Sequence, residues 1–202
     1  MNDIKFNKIL ILVNGAIPLA LLSWDAFRGQ LGANPIEFFL RTTGMLTLIF
    51  LLITLSVTPL RKLLGWNSLI KYRRLLGLYA FFYVCLHFST YIIFDRGGNL
   101  ASTAGDIVQR PFIAIGMASF FMMIPLAITS TNGWVKRLGG KRWAKLHRLI
   151  YYIGIGGVVH YWMIVKSDIF YPAMFGLVLA ILLGYRVYVS NGSKEIQTIK
   201  SK

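Results

Sequence analysis

Among its 202 residues the chain has one cysteine, Cys85, and only three histidines. A lone cysteine leaves no disulfide and no cysteine-based metal or iron–sulfur site. Acidic residues are also scarce: seven Asp and Glu stand against twenty-two Lys and Arg. Asp25, Glu37, Asp95, Asp106 and Asp168 all fall at one rim of the apolar segments rather than inside them. There is no Gly-rich phosphate loop after a strand, no Walker motif and no Ser/His/Asp set. The polar stretches are too short to fold as a nucleotide-binding domain. Any reducing equivalents therefore come from a diffusible carrier or from another protein.

Long apolar runs are what the chain has instead. It is 56% hydrophobic, its mean hydropathy is +0.61, and runs of near twenty residues recur, about the length that crosses a bilayer as helix. Six spans are expected, at 9–24, 37–58, 75–94, 112–129, 147–165 and 170–189. The fold class is an all-α integral membrane protein, a six-helix transmembrane bundle in which residues 1–202 form one domain. The first run also has the basic start of a signal peptide in Lys5 and Lys8, but Asn14 and Pro18 interrupt it and no clear cleavage site follows, so a retained helix is expected.

Six spans put both termini on one side. That side holds Lys5, Lys8, Arg61, Lys62, Lys71, Arg73, Arg74, Lys136, Arg137, Lys141, Arg142, Lys145, Arg148, Arg186, Lys194, Lys200 and Lys202. By the positive-inside rule it is cytoplasmic. On the other side Arg28, Arg41, Arg96, Arg110 and Lys166 balance the five acids. The net charge of +15 is thus topological and needs no nucleic acid to explain it; membrane lipid is the expected partner of much of it. The longest outer stretch runs from Asp95 to Pro111, between a Gly97-Gly98 turn and an Arg110-Pro111 helix start. It reads as a partner surface or as a connector on the headgroups.

Histidine inside hydrocarbon is costly and marks function when a partner exists. His87 lies thirteen residues after Arg74, and His160 thirteen after His147, on two spans entering from the same side. His87 and His160 therefore reach similar depths, roughly 20 Å from the basic entrance at 1.5 Å per residue. Bundle cofactor sites are built by side chains projecting from facing helices, and a b-type haem takes two axial nitrogen donors. Gly156 and Gly157, before His160, and Ala80, before His87, are expected to open a slot. Tyr83, Thr90 and Tyr91 offer hydroxyls to the imidazole's other nitrogen. The alternative is that each histidine only hydrogen-bonds a neighbouring helix.

His147 stands apart. On one ideal helix it points about 140° away from His160, unless Gly154-Ile155-Gly156-Gly157 distorts the backbone. Its readings are a second, inner haem, a place near a flavin or quinone, or an interfacial histidine. The basic cluster around Arg73, Arg74 and Arg148 could hold a flavin phosphate or a quinol headgroup, or dock an acidic reductase. Trp134 and Trp143 read as interfacial anchors or flat surfaces for a ring.

The stretches Tyr72-Arg73-Arg74-Leu75-Leu76-Gly77-Leu78-Tyr79 with Leu86-His87, and Trp143-Ala144-Lys145-Leu146-His147-Arg148-Leu149-Ile150-Tyr151, resemble the ferric-reductase-like transmembrane domain. Within that family the chain resembles the haem-binding membrane subunits of bacterial systems that repair methionine sulfoxide in periplasmic proteins. The resemblance implies haem b and FMN as cofactors, His87, His147 and His160 as haem-associated residues, and a place in the bacterial inner membrane. It also implies electrons drawn from the quinone pool, or from a cytosolic flavin reductase, for a periplasmic molybdopterin-containing methionine sulfoxide reductase. Two other readings stay open: a stand-alone ferric-chelate reductase, and a proton-coupled transporter or channel with the histidines as relays.

Overall fold

The structure, a computed structural model, describes residues 3–200, with side chains through residue 191. Lys202 and the side chains of Lys194 and Lys200 lie outside the described residues. Those residues form α-helices and short 3-10 and π turns, with no strand among them. The helices are α1 (Asp3–Phe27), α2 (Pro35–Leu64), α3 (Arg73–Thr90), α4 (Leu100–Gln109), α5 (Pro111–Ile128), α6 (Asn132–Leu138), α7 (Gly140–Leu146), α8 (Leu149–Ile164) and α9 (Phe170–Lys200).

Five helices are long and apolar enough to cross a membrane: α1, α2, α3 with the π turn Tyr91–Asp95 that continues it, α5, and α9 over Phe170–Asn191. The remaining expected span, the fifth at 147–165, falls on α8, whose 16 residues rise only about 24 Å against a hydrocarbon core of about 30 Å. The structure thus shows an all-helical protein with five candidate spans and a shorter apolar sixth helix. Two expected polar segments contain helix as well: α4 occupies most of the Asp95–Pro111 stretch, and α6 and α7 occupy the segment before His147.

Local chemistry sets the boundaries. At the start of α2, Asn34 accepts a hydrogen bond from the Glu37 amide at 3.2 Å, with Pro35 in the first turn, and Gly65 ends the helix at φ 70°. Asn99 caps α4 through the Ser102 amide, and Pro111 opens α5, where a missing N–H costs nothing. The helices pair as α2 with α3 and α5 with α8, while α9 packs on α2 and α8 and α1 touches α3. Leu51, Leu55, Tyr83 and Ile153 are fully buried at the centre. Along α1 the attachment is polar: the Tyr83 hydroxyl donates to the Gly15 carbonyl at 2.6 Å and the Tyr79 hydroxyl to that of Leu12. Gly15 lets α1 approach, since a Cβ there would meet the Tyr79 ring.

One boundary departs from expectation. The second span is expected to end at residue 58, yet α2 runs on through Pro59 to Leu64. Proline lacks the N–H that the Leu55 carbonyl would accept. Arg186 of α9 supplies it: Nη2 donates to the Leu55 oxygen at 2.6 Å and Nη1 to Leu182 at 3.0 Å, with the guanidinium over the Tyr151 ring. Arg186→Ala should leave the carbonyl of buried Leu55 unpaired, costing about 1–3 kcal/mol. The check is a lower unfolding midpoint of the detergent-solubilised protein than that of Arg186→Lys, which keeps one donor.

Candidate functional site

The two hairpins α2/α3 and α5/α8 bring His87 and His160 together: their ring centroids are 6.2 Å apart and the rings are perpendicular. Each ring is oriented by the partner helix of its own hairpin. His87 Nδ1 lies 3.0 Å from the Leu40 carbonyl of α2, and His160 Nδ1 lies 2.6 Å from the Phe112 carbonyl of α5. A carbonyl only accepts, so Nδ1 carries the proton in both rings, and Nε2 is left with its lone pair. Among the described residues neither Nε2 makes a hydrogen bond. Both rings line a cavity of 310 Å³, within the range of about 300–1,000 Å³ usual for ligand pockets.

A second device repeats in both hairpins. Four residues after each accepting carbonyl stands a glycine, Gly44 after Leu40 and Gly116 after Phe112, and both line the cavity. A Cβ on Gly44 would come within 3.2 Å of the His87 ring, and one on Gly116 within 2.8 Å of His160 Nδ1. These glycines let the imidazoles press onto the opposing backbone.

Of the expected slot residues Gly157 lines the cavity, where a Cβ would meet Leu48, while Ala80 is buried in the core and Gly156 packs against Ser119. The Tyr83 hydroxyl bonds Gly15 and the Thr90 hydroxyl bonds Leu86, so neither fixes an imidazole. Tyr91 does line the cavity, but its hydroxyl donates to Asp106 at 2.7 Å. Backbone carbonyls took the role given to hydroxyls because α2 and α5 lie close enough to offer them. Met117, Met123 and Tyr161 also line the cavity.

His147 is not on the helix of His160. It is the C-terminal cap of α7, at φ −70° and ψ −4°, and α8 begins at Leu149. The 140° phase assumed one continuous helix and does not hold. Nor does the run Gly154–Gly157 distort the backbone: α8 is α-helical throughout, with no positive φ there. His147 stacks on Trp143 at 3.8 Å, its Nδ1 lies 3.1 Å from the Trp143 carbonyl, and its Nε2 is buried without a hydrogen-bond partner. Trp143 is itself tied to the end of α5 through Thr129. Arg74 donates to Asn132 at 2.8 Å and Arg148 is exposed, while Arg73 and Arg74 both lie close enough to act electrostatically on His147. Among the described residues no three His, Cys, Asp or Glu side chains cluster as a metal site. The three histidines form a pair and a singleton.

At its other end the cavity reaches Glu37, Arg41, Asp95, Arg96 and Arg110. Buried Asp106 ties this rim together, with Arg96 Nε at 2.7 Å, Arg110 Nε at 3.4 Å and the Tyr91 hydroxyl on its oxygens. Asp106→Asn removes the charge that holds both arginines and should free α4 from the end of α3. Amide exchange over Leu100–Gln109 should then speed up by at least about tenfold, as expected for losing a charged hydrogen bond, while α5 stays protected.

The family model described as "Ferric reductase like transmembrane component" matches residues 40–158, a stretch that includes His87, His147 and most of both hairpins. Relatives within that class are more particular. The chain is 51% identical over 183 residues, 90% of its length and 84% of the relative's, to the protein-methionine-sulfoxide reductase heme-binding subunit MsrQ of Herminiimonas arsenicoxydans. It is 48% identical to that of Ralstonia nicotianae over 93% of this chain and 88% of the relative. It is 46% identical to that of Bordetella pertussis over 89% and 88%. The chain belongs to the MsrQ family. No solved structure matches it.

Proposed function

We propose that the chain, acting as a single domain in the bacterial inner membrane with its basic face cytoplasmic, is a haem b subunit that carries electrons from the quinone pool to a periplasmic molybdopterin-containing methionine sulfoxide reductase, for the repair of oxidised periplasmic proteins. The observation that carries this reading is the His87–His160 pair. The two rings border one cavity with centroids 6.2 Å apart, so that a single bound group could meet both. With Nδ1 held by a carbonyl and Nε2 free, His87 and His160 would hold the haem iron. Haem bound there would supply a one-electron carrier.

The remaining residues serve orientation and access. The Leu40 and Phe112 carbonyls hold the imidazoles, and the apolar walls from Met45, Leu48, Phe120 and Met123 keep water from the pair. Arg73, Arg74 and Arg148 surround His147 with positive charge at the basic end, where they would hold an FMN phosphate or meet quinol or a cytosolic flavin reductase. His147, whose buried Nε2 lacks a partner, is a third haem-associated residue at that end. What support there is for the methionine sulfoxide system comes from the printed names of the relatives, and for transport across the membrane from the charge asymmetry of the loops.

The test begins with the visible spectrum of the purified protein before and after dithionite. Split haem bands on reduction, then reduction of the same bands by a quinol and reoxidation by the periplasmic reductase, are expected. A colourless protein from haem-replete cells would sink the reading.

A further inference from the structure

From the rim of the cavity we infer that Arg41 and Arg110 form a carboxylate-binding mouth that holds the two propionate groups of the haem, fixing its carboxylate edge toward the end of the bundle opposite the basic loops. This rests on the haem reading above and deepens it.

Position comes first. Arg41 directly follows Leu40, whose carbonyl orients His87, and Arg110 stands two residues before Phe112, whose carbonyl orients His160. Each arginine therefore sits at the rim beside one of the two backbone supports, and both line the cavity that contains the rings. A flat dicarboxylate ligand seated between the imidazoles has one arginine from each hairpin within reach of its charged edge.

Commitment of the guanidinium groups comes second. Arg96 is the least accessible of the three rim arginines: it lies between Asp95 and Asp106 and over the Tyr91 ring, with its side chain 21% exposed. Arg110 approaches Asp106 most closely through Nε, at 3.4 Å, longer than a good N–H···O bond, and its side chain is 47% exposed. Arg41 binds Glu37 through Nε at 2.8 Å and Nη2, on the same helix, with a side chain 65% exposed. Asp106 meets Arg110 through Nε, and Glu37 meets Arg41 through Nε and Nη2, so each guanidinium keeps further N–H groups that no protein group binds. Arginine presents five donors in a fixed fork suited to carboxylates, so an acidic neighbour does not exhaust it. Apart from Glu37, Asp95 and the less accessible Arg96, the remaining lining is mostly apolar, so Arg41 and Arg110 are the exposed cations a ligand's negative groups would meet.

The experiment compares iron protoporphyrin IX with its dimethyl ester, which has the same ring and iron but no propionate charge. Full-length protein from haem-deprived cells is titrated with each in detergent, and binding is followed by the Soret band. Wild type should bind the free acid at least about tenfold more tightly than the diester, one charged hydrogen bond's worth. Arg41→Gln and Arg110→Gln should weaken binding of the acid, leave the diester unchanged and so close the gap. They should also move the reduction potential to more negative values, since a nearby cation favours the added electron. Equal affinity of wild type for acid and diester, or a gap that survives both substitutions, overturns the propionate mouth and leaves the histidine site standing. Failure of wild type to bind either compound overturns the haem reading with it.

Discussion

His87→Ala and His160→Ala should each remove most of the haem, lowering the reduced-minus-oxidised absorbance per mole of protein by more than about tenfold. Loss of an outer-shell partner to a metal-bound histidine already costs about 10–100-fold in metal affinity, and here the donor atom itself goes. Neither variant should fail to fold for want of packing: both rings border the cavity, and the buried centre of the bundle is built from Leu51, Leu55, Tyr83 and Ile153 instead. His147→Ala should keep the absorbance due to the pair, because His147 lies outside the cavity, on the turn between α7 and α8. Equal and complete loss in all three variants, with normal membrane insertion, would show that the pair does not hold a haem independently of His147.

Depth was legible in the sequence and rotation was not. Counting thirteen residues from Arg74 and from His147 puts His87 and His160 at one level, because rise per residue is nearly constant wherever the chain stays helical. Facing direction depends on where each helix begins, and the α7–α8 break at His147 and Arg148 carries no proline or glycine to announce it. The same holds for the supports. Tyr83 and Thr90 were reasonable candidates to hold an imidazole, being polar and one turn away, yet a backbone carbonyl has no residue type. Nothing in the letters Leu40 or Phe112 marks them as acceptors. The one available signal was small size four residues on, at Gly44 and Gly116, and it sits on helices that bear no histidine. Arg186 shows the converse: an arginine near the end of an apolar run reads as topology, whereas its position decides that α2 continues past Pro59.

The glycines make the second large prediction, and they separate haem capacity from ligand identity. Gly116→Leu and Gly44→Leu keep all three histidines but place a branched side chain against the His160 and His87 rings. Each should reduce haem content by at least about tenfold, since small-to-large changes in a packed site are relieved only by moving the neighbours. Here the neighbour is the axial ring itself, and shifting it also breaks the bond to Phe112 or Leu40. Alanine should grade the effect. At Gly116 the added Cβ falls 2.8 Å from Nδ1, inside any real contact, so the ring must move; at Gly44 the 3.2 Å approach asks only a few tenths of an ångström. Gly116→Ala should therefore perturb the spectrum and shift the reduction potential clearly more than Gly44→Ala does. Gly184, with nothing within 4 Å of an added Cβ, is the control: Gly184→Ala should retain full haem. If both cavity alanines behave like Gly184→Ala, the close approach of ring to backbone is not what holds the imidazoles, and His87 and His160 must be oriented by the ligand rather than for it.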